Sequence, residues 1–303
     1  MDFIFEEAVR ERAKLRMAIT GPAKAGKSVT ALRVATNLVP DGKIILLDTE
    51  RESSKKYAPQ PGQQPNEDDC TFKFFRVDLP NFKPQTYIDA IHSAEKFGAD
   101  VIIIDSLTHA WKDLLAQKTA MDDLPRSNSY TNWGKLTPQH EQLIETMLQS
   151  PCHIIATMRT KMAYEQVKDE DTGKSKVVKL GMEPVQRDDM PYEFDILLDM
   201  NQEHYGAVSG GRCPALEGYQ ELKPGAELAQ MIGAWLNTGA EAPAPPLTRE
   251  QFAAEVGKLL NMEDETAIGN ALKEHAIVIN QSARRKYDEA LDALKAKLDT
   301  AAK

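Results

Sequence analysis

Gly21-Pro22-Ala23-Lys24-Ala25-Gly26-Lys27-Ser28 lies between the apolar run Leu-Arg-Met-Ala-Ile-Thr (15–20) and the helix-patterned stretch Val-Thr-Ala-Leu-Arg-Val-Ala-Thr-Asn-Leu (29–38). Two glycines five residues apart, the second followed directly by a lysine and a hydroxyl, between a strand and a helix make a specific chemical statement. Glycine lets successive backbone N–H groups turn towards one anion, and the helix N-terminus adds partial positive charge to the same spot. Lys27 would neutralise the β- and γ-phosphates of a nucleotide, and Ser28 would place its hydroxyl on Mg²⁺. The predicted nucleotide-binding set is therefore Gly21, Pro22, Ala23, Lys24, Ala25, Gly26, Lys27, Ser28 and the first residue beyond them, Val29.

Outward from this loop, short runs rich in β-branched and aromatic residues alternate with amphipathic stretches: KIILLDT (43–49), FKFFRVDL (72–79), VIIIDSL (101–107), HIIATM (153–158) and FDILLDM (194–200). Each reads as a strand buried on both faces, and the segments between them as crossover helices. The spacing predicts an α/β fold with a mostly parallel sheet between helices, spanning residues 17–238. Residues 1–16 are expected to form an N-terminal helical extension. The stretch 204–225 looks like β-hairpin material. Pro243, Pro245 and Pro246 mark a Pro/Ala linker over 239–247. Beyond it, Phe252, Val256, Leu259 and Leu260, and later Tyr287, Leu291, Leu294 and Leu298, predict a small C-terminal helical domain over 248–303.

With 42% hydrophobic and 27% charged residues in 303, the composition is that of a globular protein, and no apolar run approaches the ~20 residues of a membrane-spanning helix. No membrane association is expected. The start, MDFIFEEAVRERAK, lacks a signal-peptide core, which predicts a cytoplasmic protein. Cys70, Cys152 and Cys213 show no ligand spacing, and the six histidines show no H-x-x-x-H pattern, so neither a disulfide framework nor a transition-metal site is expected. A net charge of −9 excludes a surface coated for phosphate binding but leaves room for one basic groove.

Two carboxylates complete the phosphate site. Asp105 follows four apolar residues and emerges at a strand's C-terminal edge, where it could hold Mg²⁺ through water. Asp48-Thr49-Glu50 ends another such strand, and a carboxylate there can polarise an attacking water. Either one alone reads better as an ordinary solvated strand-end carboxylate; together with the loop they favour nucleotide hydrolysis. No Asn-Lys-x-Asp guanine-reading motif occurs, so the nucleotide is read as ATP, with Mg²⁺.

Over residues 17–198 the chain resembles the RecA-type recombinase core, a RecA-like P-loop NTPase, and more closely the shortened RecA-like ATPases of phages, some of which act in single-strand annealing. The resemblance carries implications for individual residues. IILLDTE implies Glu50 as the catalytic base; Tyr57, seven residues on, matches a tyrosine that stacks on adenine. ADVIIIDSLTHAW implies Asp105 on magnesium. HIIATMRTK implies Thr157 as a sensor, where the family has glutamine, with Arg159 and Lys161 near the γ-phosphate or a subunit interface. Arg212 in SGGRCP lies where related enzymes offer an arginine to a neighbour's ATP, which implies self-association with ATP between subunits.

The resemblance also implies single-stranded DNA as partner, through two insertions at the ATP edge. The first, 107–138, carries Trp111, Lys112, Lys118, Arg126, Tyr130, Trp133 and Lys135, a mixture of aromatic and cationic groups suited to stacking on bases and pairing with phosphates, although each tryptophan taken alone reads better as packing the insertion against the core. The second, 162–191, carries Lys168, Lys174, Lys176, Lys179 and Arg187 around Asp171-Thr172-Gly173, a hairpin-turn signal. The resulting expectation is a DNA-stimulated ATPase of phage-type recombination, annealing or repair. A DnaB-like ring helicase or its accessory, and an adaptor that recruits a replication or single-strand-binding protein through 248–303, remain open alternatives.

Overall fold

The computed structural model describes residues 7–168 and 175–240, the side chains of 162–181 excepted. Within it the loop-bearing unit begins with β1 (Arg16–Gly21) and α1 (Lys27–Leu38), followed by β2 (Ile44–Asp48), β3 (Phe75–Asp78) and α2 (Pro84–Phe97). Next come β4 (Val101–Asp105), α3 (Thr108–Asp122), α4 (Ser129–Gln149), β5 (His153–Lys168) and β6 (Ser175–Pro184). β7 (Ile196–Met200), β8 (Tyr205–Gly211), β9 (Gln220–Leu222) and α5 (Ala226–Leu236) close the unit.

The strands line up as β3-β2-β4-β5-β1-β7-β8-β9, with β6 paired to β5 alone. The pairs from β3 through β7 are parallel, and β7–β8, β8–β9 and β5–β6 are antiparallel. This is the expected α/β architecture, a mostly parallel sheet between helices. Alternation along the strands sends Met17, Ile19, Leu46, Ile103 and Leu198 to the face covered by α1 and α5. Ala18, Leu47, Ile104, Ile154 and Met158 face the other way, against Tyr87 and Ile91 of α2 and Leu143 and Met147 of α4. Because both faces are covered, β1, β2 and β4 are buried at every position, which is why they read as unbroken apolar runs.

Four expectations are corrected. Residues 7–15 are not helical. Their N–H groups find partners elsewhere: Arg12 donates to the Ala240 carbonyl at 2.9 Å and Ala13 to that of Leu236 at 3.2 Å. The Arg10 guanidinium then caps the carbonyls of Trp235 and Thr238 at the end of α5, so the segment is a strap rather than a helix. For the same reason the core runs on through Gly239 and Ala240, which the linker was expected to include. β3 is an edge strand with Phe75 and Val77 exposed, not a doubly covered one. The first insertion, which the resemblance implied as a DNA-contacting loop, is helical: α3 and α4 form a hairpin, with Asn128 Oδ1 accepting from Tyr130 N–H and Thr131 N–H to start α4. The second insertion is the two-stranded ribbon that its turn signal predicts, although Asp171-Thr172-Gly173 itself lies outside the described residues. Residues 1–6, the rest of the linker and the C-terminal helical domain also lie outside them. Among the described residues no helix is long and apolar enough to cross a membrane.

Candidate nucleotide site

β1 delivers Gly21 with φ +153°, a conformation only glycine adopts comfortably, and a Cβ there would sit 2.5 Å from the Met200 carbonyl oxygen. Five residues on, Gly26 with φ +91° starts α1 and accepts at its carbonyl from Thr30 N–H at 2.9 Å. Between them Ala25 N–H closes a turn on the Pro22 carbonyl at 3.3 Å, with Ala23 and Lys24 at the exposed tip. Lys27 folds back over this loop and donates to the carbonyls of Gly21 and Pro22, both at 2.8 Å. Burial pushes its ammonium below the ordinary lysine value, and Asp105 opposes that shift. Val29 packs against the core below.

Asp105 ends β4 with the carboxylate buried, in register with Asp48 at the end of β2. Burial raises its pKa, and hydrogen bonds from Ser28 and Thr157 pull it back. Thr157 Oγ1 donates to Asp105 Oδ1 at 2.6 Å, so the residue expected as a sensor directly supports the carboxylate. Asp48, which the sequence did not single out, fixes the next turn: it accepts from Glu50 N–H at 2.7 Å and from Ser54 N–H at 3.1 Å. Thr49 locks the ends of β2 and β4 together, accepting from Ser106 N–H at 2.7 Å and meeting His109 Nδ1 at 2.7 Å. Burial lowers the His109 pKa, against the pull of Glu50.

Glu50 comes off β2 towards β5, where Arg159 Nε donates to its Oε1 at 3.1 Å and Nη2 to both carboxylate oxygens. Glu50, Asp105 and Arg159 all act on the charge of Lys27. The lysine, the two carboxylates and the hydroxyl therefore meet at the C-terminal edge of the sheet. Tyr57 is half-buried against the α1 side of the core, its phenol pKa raised by burial and by Asp105. A cleft of about 580 Å³ beside the loop is lined by Thr20, Pro22, Thr160, Asp199 and Glu203 among others, a size that suits a small-molecule ligand.

Arg212 is not part of this constellation. Its N–H donates to the Asp195 carbonyl at 2.8 Å and its guanidinium pairs with Asp195 Oδ1 at 2.9 Å. Asp195 N–H in turn bonds to Arg16 at the start of β1, so Arg212 is exposed at the edge opposite the phosphate loop of its own chain. Lys161 pairs with Glu183 of the ribbon.

A model of the AAA domain family matches residues 13–222, the span that carries the phosphate loop, both carboxylates and Arg159. The chain belongs to the AAA domain family. The AAA domain thus covers β1 through β9, and Arg10, Trp235 and α5 lie outside the matched span. Among solved structures, the RadB recombinase aligns with a TM-score of 0.39 and 17% identity, over 67% of this chain and 83% of that one. A KaiC-like protein of the hyperthermophilic archaeon Pyrococcus horikoshii OT3 aligns with a TM-score of 0.37 and 12% identity, over 70% and 94% respectively. No curated protein sequence matches the chain.

Ser28 and Asp105 form an oxygen donor set of the kind magnesium takes when phosphates supply its other ligands. Among the described residues no group of three His, Cys, Asp or Glu side chains forms a cage of its own. This AAA domain thus fits a metal that arrives with its nucleotide.

Proposed function

We propose that the protein binds and hydrolyses ATP with Mg²⁺, and that it does so on single-stranded DNA in phage-type recombination, annealing or repair. The observation that carries the nucleotide reading is the convergence of Lys27, Ser28, Asp105 and Glu50 at one sheet edge.

Each residue has a role in this reading. Lys27 exchanges the carbonyls of Gly21 and Pro22 for the β- and γ-phosphate oxygens. Ser28 and Asp105 hold Mg²⁺, which supplies charge neutralisation on the triphosphate when bound. Thr157 keeps the Asp105 carboxylate aimed. Glu50 takes up the attacking water once Arg159 lets go of it, and Tyr57 offers its ring to adenine. Arg212 faces away from its own loop, which restricts any action on ATP to a neighbouring copy and makes self-association part of the proposal.

The DNA reading draws on two projections from the ATP edge. β1 ends at Gly21, opposite Arg159, whereas β5 continues to Lys168 as a ribbon paired only with β6. The 21 residues of α4 span about 31 Å, against roughly 17 Å for a five-residue strand, so the α3–α4 hairpin also outreaches the sheet. On this hairpin the Trp111 and Trp133 rings stack with centroids 5.6 Å apart, and Lys118 Nζ lies 5.7 Å from the Trp133 centroid. Measuring ATP turnover with no polymer, single-stranded DNA, duplex DNA and RNA tests the proposal. Stimulation by single strands that fades with rising salt is expected. A turnover indifferent to DNA would remove the DNA half and leave the ATPase.

A further inference from the structure

The turn between β7 and β8, residues 201–204, packs directly on the phosphate loop. The Met200 carbonyl oxygen lies 2.5 Å from where a Gly21 Cβ would be, and His204 Nδ1 lies 3.1 Å from where a Gly26 Cβ would be. His204 Nδ1 also lies 3.1 Å from the Ala25 carbonyl oxygen. A carbonyl oxygen only accepts, so Nδ1 must carry the proton and donate.

The turn is held rigidly for this contact. Asn201 Oδ1 accepts from Glu203 N–H and Tyr205 N–H, both at 3.0 Å, and the His204 carbonyl accepts from Lys223 N–H at 2.8 Å. His204 itself sits at φ +67°, in the left-handed region. A histidine, which glycine would relieve, is kept in this conformation with its ring against the loop.

In a trans peptide the C=O and the following N–H point in opposite directions. Tying the Ala25 carbonyl outward to His204 therefore turns the Gly26 N–H inward, into the hollow of the loop. Among the described residues that N–H has no acceptor. We propose that His204 is a positioning residue for nucleotide binding: its Nδ1–H fixes the Ala25–Gly26 peptide so that the Gly26 N–H meets a phosphate oxygen. This rests on the ATP reading above. His204 acts through the backbone and touches no reacting atom.

Three substitutions separate positioning from packing. His204→Gly relieves the backbone and removes the donor. It should keep or raise the thermal midpoint of the nucleotide-free protein while weakening binding of a ribose-labelled fluorescent ATP, with Mg²⁺, by about tenfold, the size of one net hydrogen bond. His204→Asn also tolerates positive φ and places its amide nitrogen at the bonded position of Nδ1. It should recover affinity to within about threefold of wild type. His204→Asp puts an acceptor at the same position, facing the Ala25 carbonyl, and should bind more weakly than His204→Gly. The losses should appear in KM for ATP with kcat largely retained. Equal affinity in the glycine variant and wild type, equal losses in the asparagine and aspartate variants, or a fall in stability that tracks the fall in affinity would each overturn the proposal. Wild-type protein that takes up no labelled ATP would instead sink the nucleotide reading on which it rests.

Discussion

Arg159 grips Glu50 with Nε and Nη2, occupying both oxygens of the carboxylate that the proposed mechanism assigns to the attacking water. The pair joins the end of β2 to β5 at the point where the ribbon leaves the sheet, and Arg159 N–H is bonded to Thr108 Oγ1 at the root of the α3–α4 hairpin, 2.9 Å away. Both projections are therefore anchored at the same arginine.

Glu50→Gln removes the base while keeping a side chain of the same shape beside Arg159. Nucleotide binding should survive, because Lys27, Ser28 and the loop are untouched. Turnover should fall by about 10²–10⁴, the usual contribution of a positioned general base. Single-turnover kinetics together with an equilibrium binding measurement check both halves. Normal turnover in this variant would mean that Glu50 has been given the wrong role.

Lys27→Ala should behave in the opposite way. The ammonium is buried and satisfied by two carbonyls. Its removal leaves those carbonyls without a donor but also relieves the cost of burying a charge. The thermal midpoint should move little, whereas nucleotide affinity should drop below detection in calorimetry. Binding that persists would show that the loop holds something other than a triphosphate.

Much of this site was legible in the sequence because its parts sit at strand ends, and strand ends are marked by an apolar run meeting a polar residue. Asp105 and the Asp48–Glu50 strand end were marked that way and the loop by its glycines, whereas the choice of Glu50 within that end came from the resemblance to the RecA-type core. His204 was not, because it lies 179 residues from its partner Ala25 and its own turn carries no motif; only the closing of β7 and β8 beside β1 joins them. Asp48 was passed over for a different reason, since the resemblance assigned the role at that strand end to Glu50. The resemblance implied a DNA-contacting loop over 107–138, yet Asn128 supplies a cap and α4 forms through Gly134 and Pro138. The N-terminal strap misled in the same way: its residues suit a helix, but carbonyls freed at the end of α5 offered its N–H groups a tertiary partner.

That strap makes a stability prediction. Arg10 donates to the carbonyls of Trp235 and Thr238, and its guanidinium carbon lies 5.9 Å from the Trp235 ring centroid. Arg10→Ala should cost about 1–2 kcal/mol through lost helix capping and cation–π contact. A lowered urea midpoint with an unchanged slope would register it, and Arg10→Lys should recover only part, lacking the planar fork.

His153 gives the expected pH dependence. Its Nδ1 accepts from Leu15 N–H at 3.0 Å, which requires a neutral ring, and burial beside Lys14 and Arg16 pushes its pKa down to about 4 from 6.5. A group whose folded pKa lies below its unfolded value binds fewer protons when folded. Its contribution is therefore complete above pH 6.5 and is lost as the pH falls through about 4. Urea midpoints should decline across this window in wild type. His153→Asn, whose amide oxygen sits at the bonded position of Nδ1 and can accept without titrating, should flatten the decline; an identical decline would place the acid sensitivity elsewhere.

The paired indoles on the hairpin carry the last prediction. The two rings stack on each other, His140 meets the Trp111 ring in a T-shaped contact at 5.5 Å, and Lys118, paired with Asp122, lies 5.7 Å from the Trp133 centroid, an aromatic and cationic surface for a base to stack on. A base stacked there should contribute about 1–3 kcal/mol. Trp133→Ala should therefore weaken single-stranded DNA binding by roughly tenfold or more, while ATP turnover without DNA stays within about twofold, since neither indole belongs to the set that meets at Lys27. Trp133→Phe keeps an aromatic face and should retain most of the affinity. Lys118→Ala should lower affinity for all strands alike and make binding less salt-dependent. If Trp133→Ala binds DNA as wild type does, the stack is only the seam that holds α3 to α4, and the ribbon becomes the element to probe.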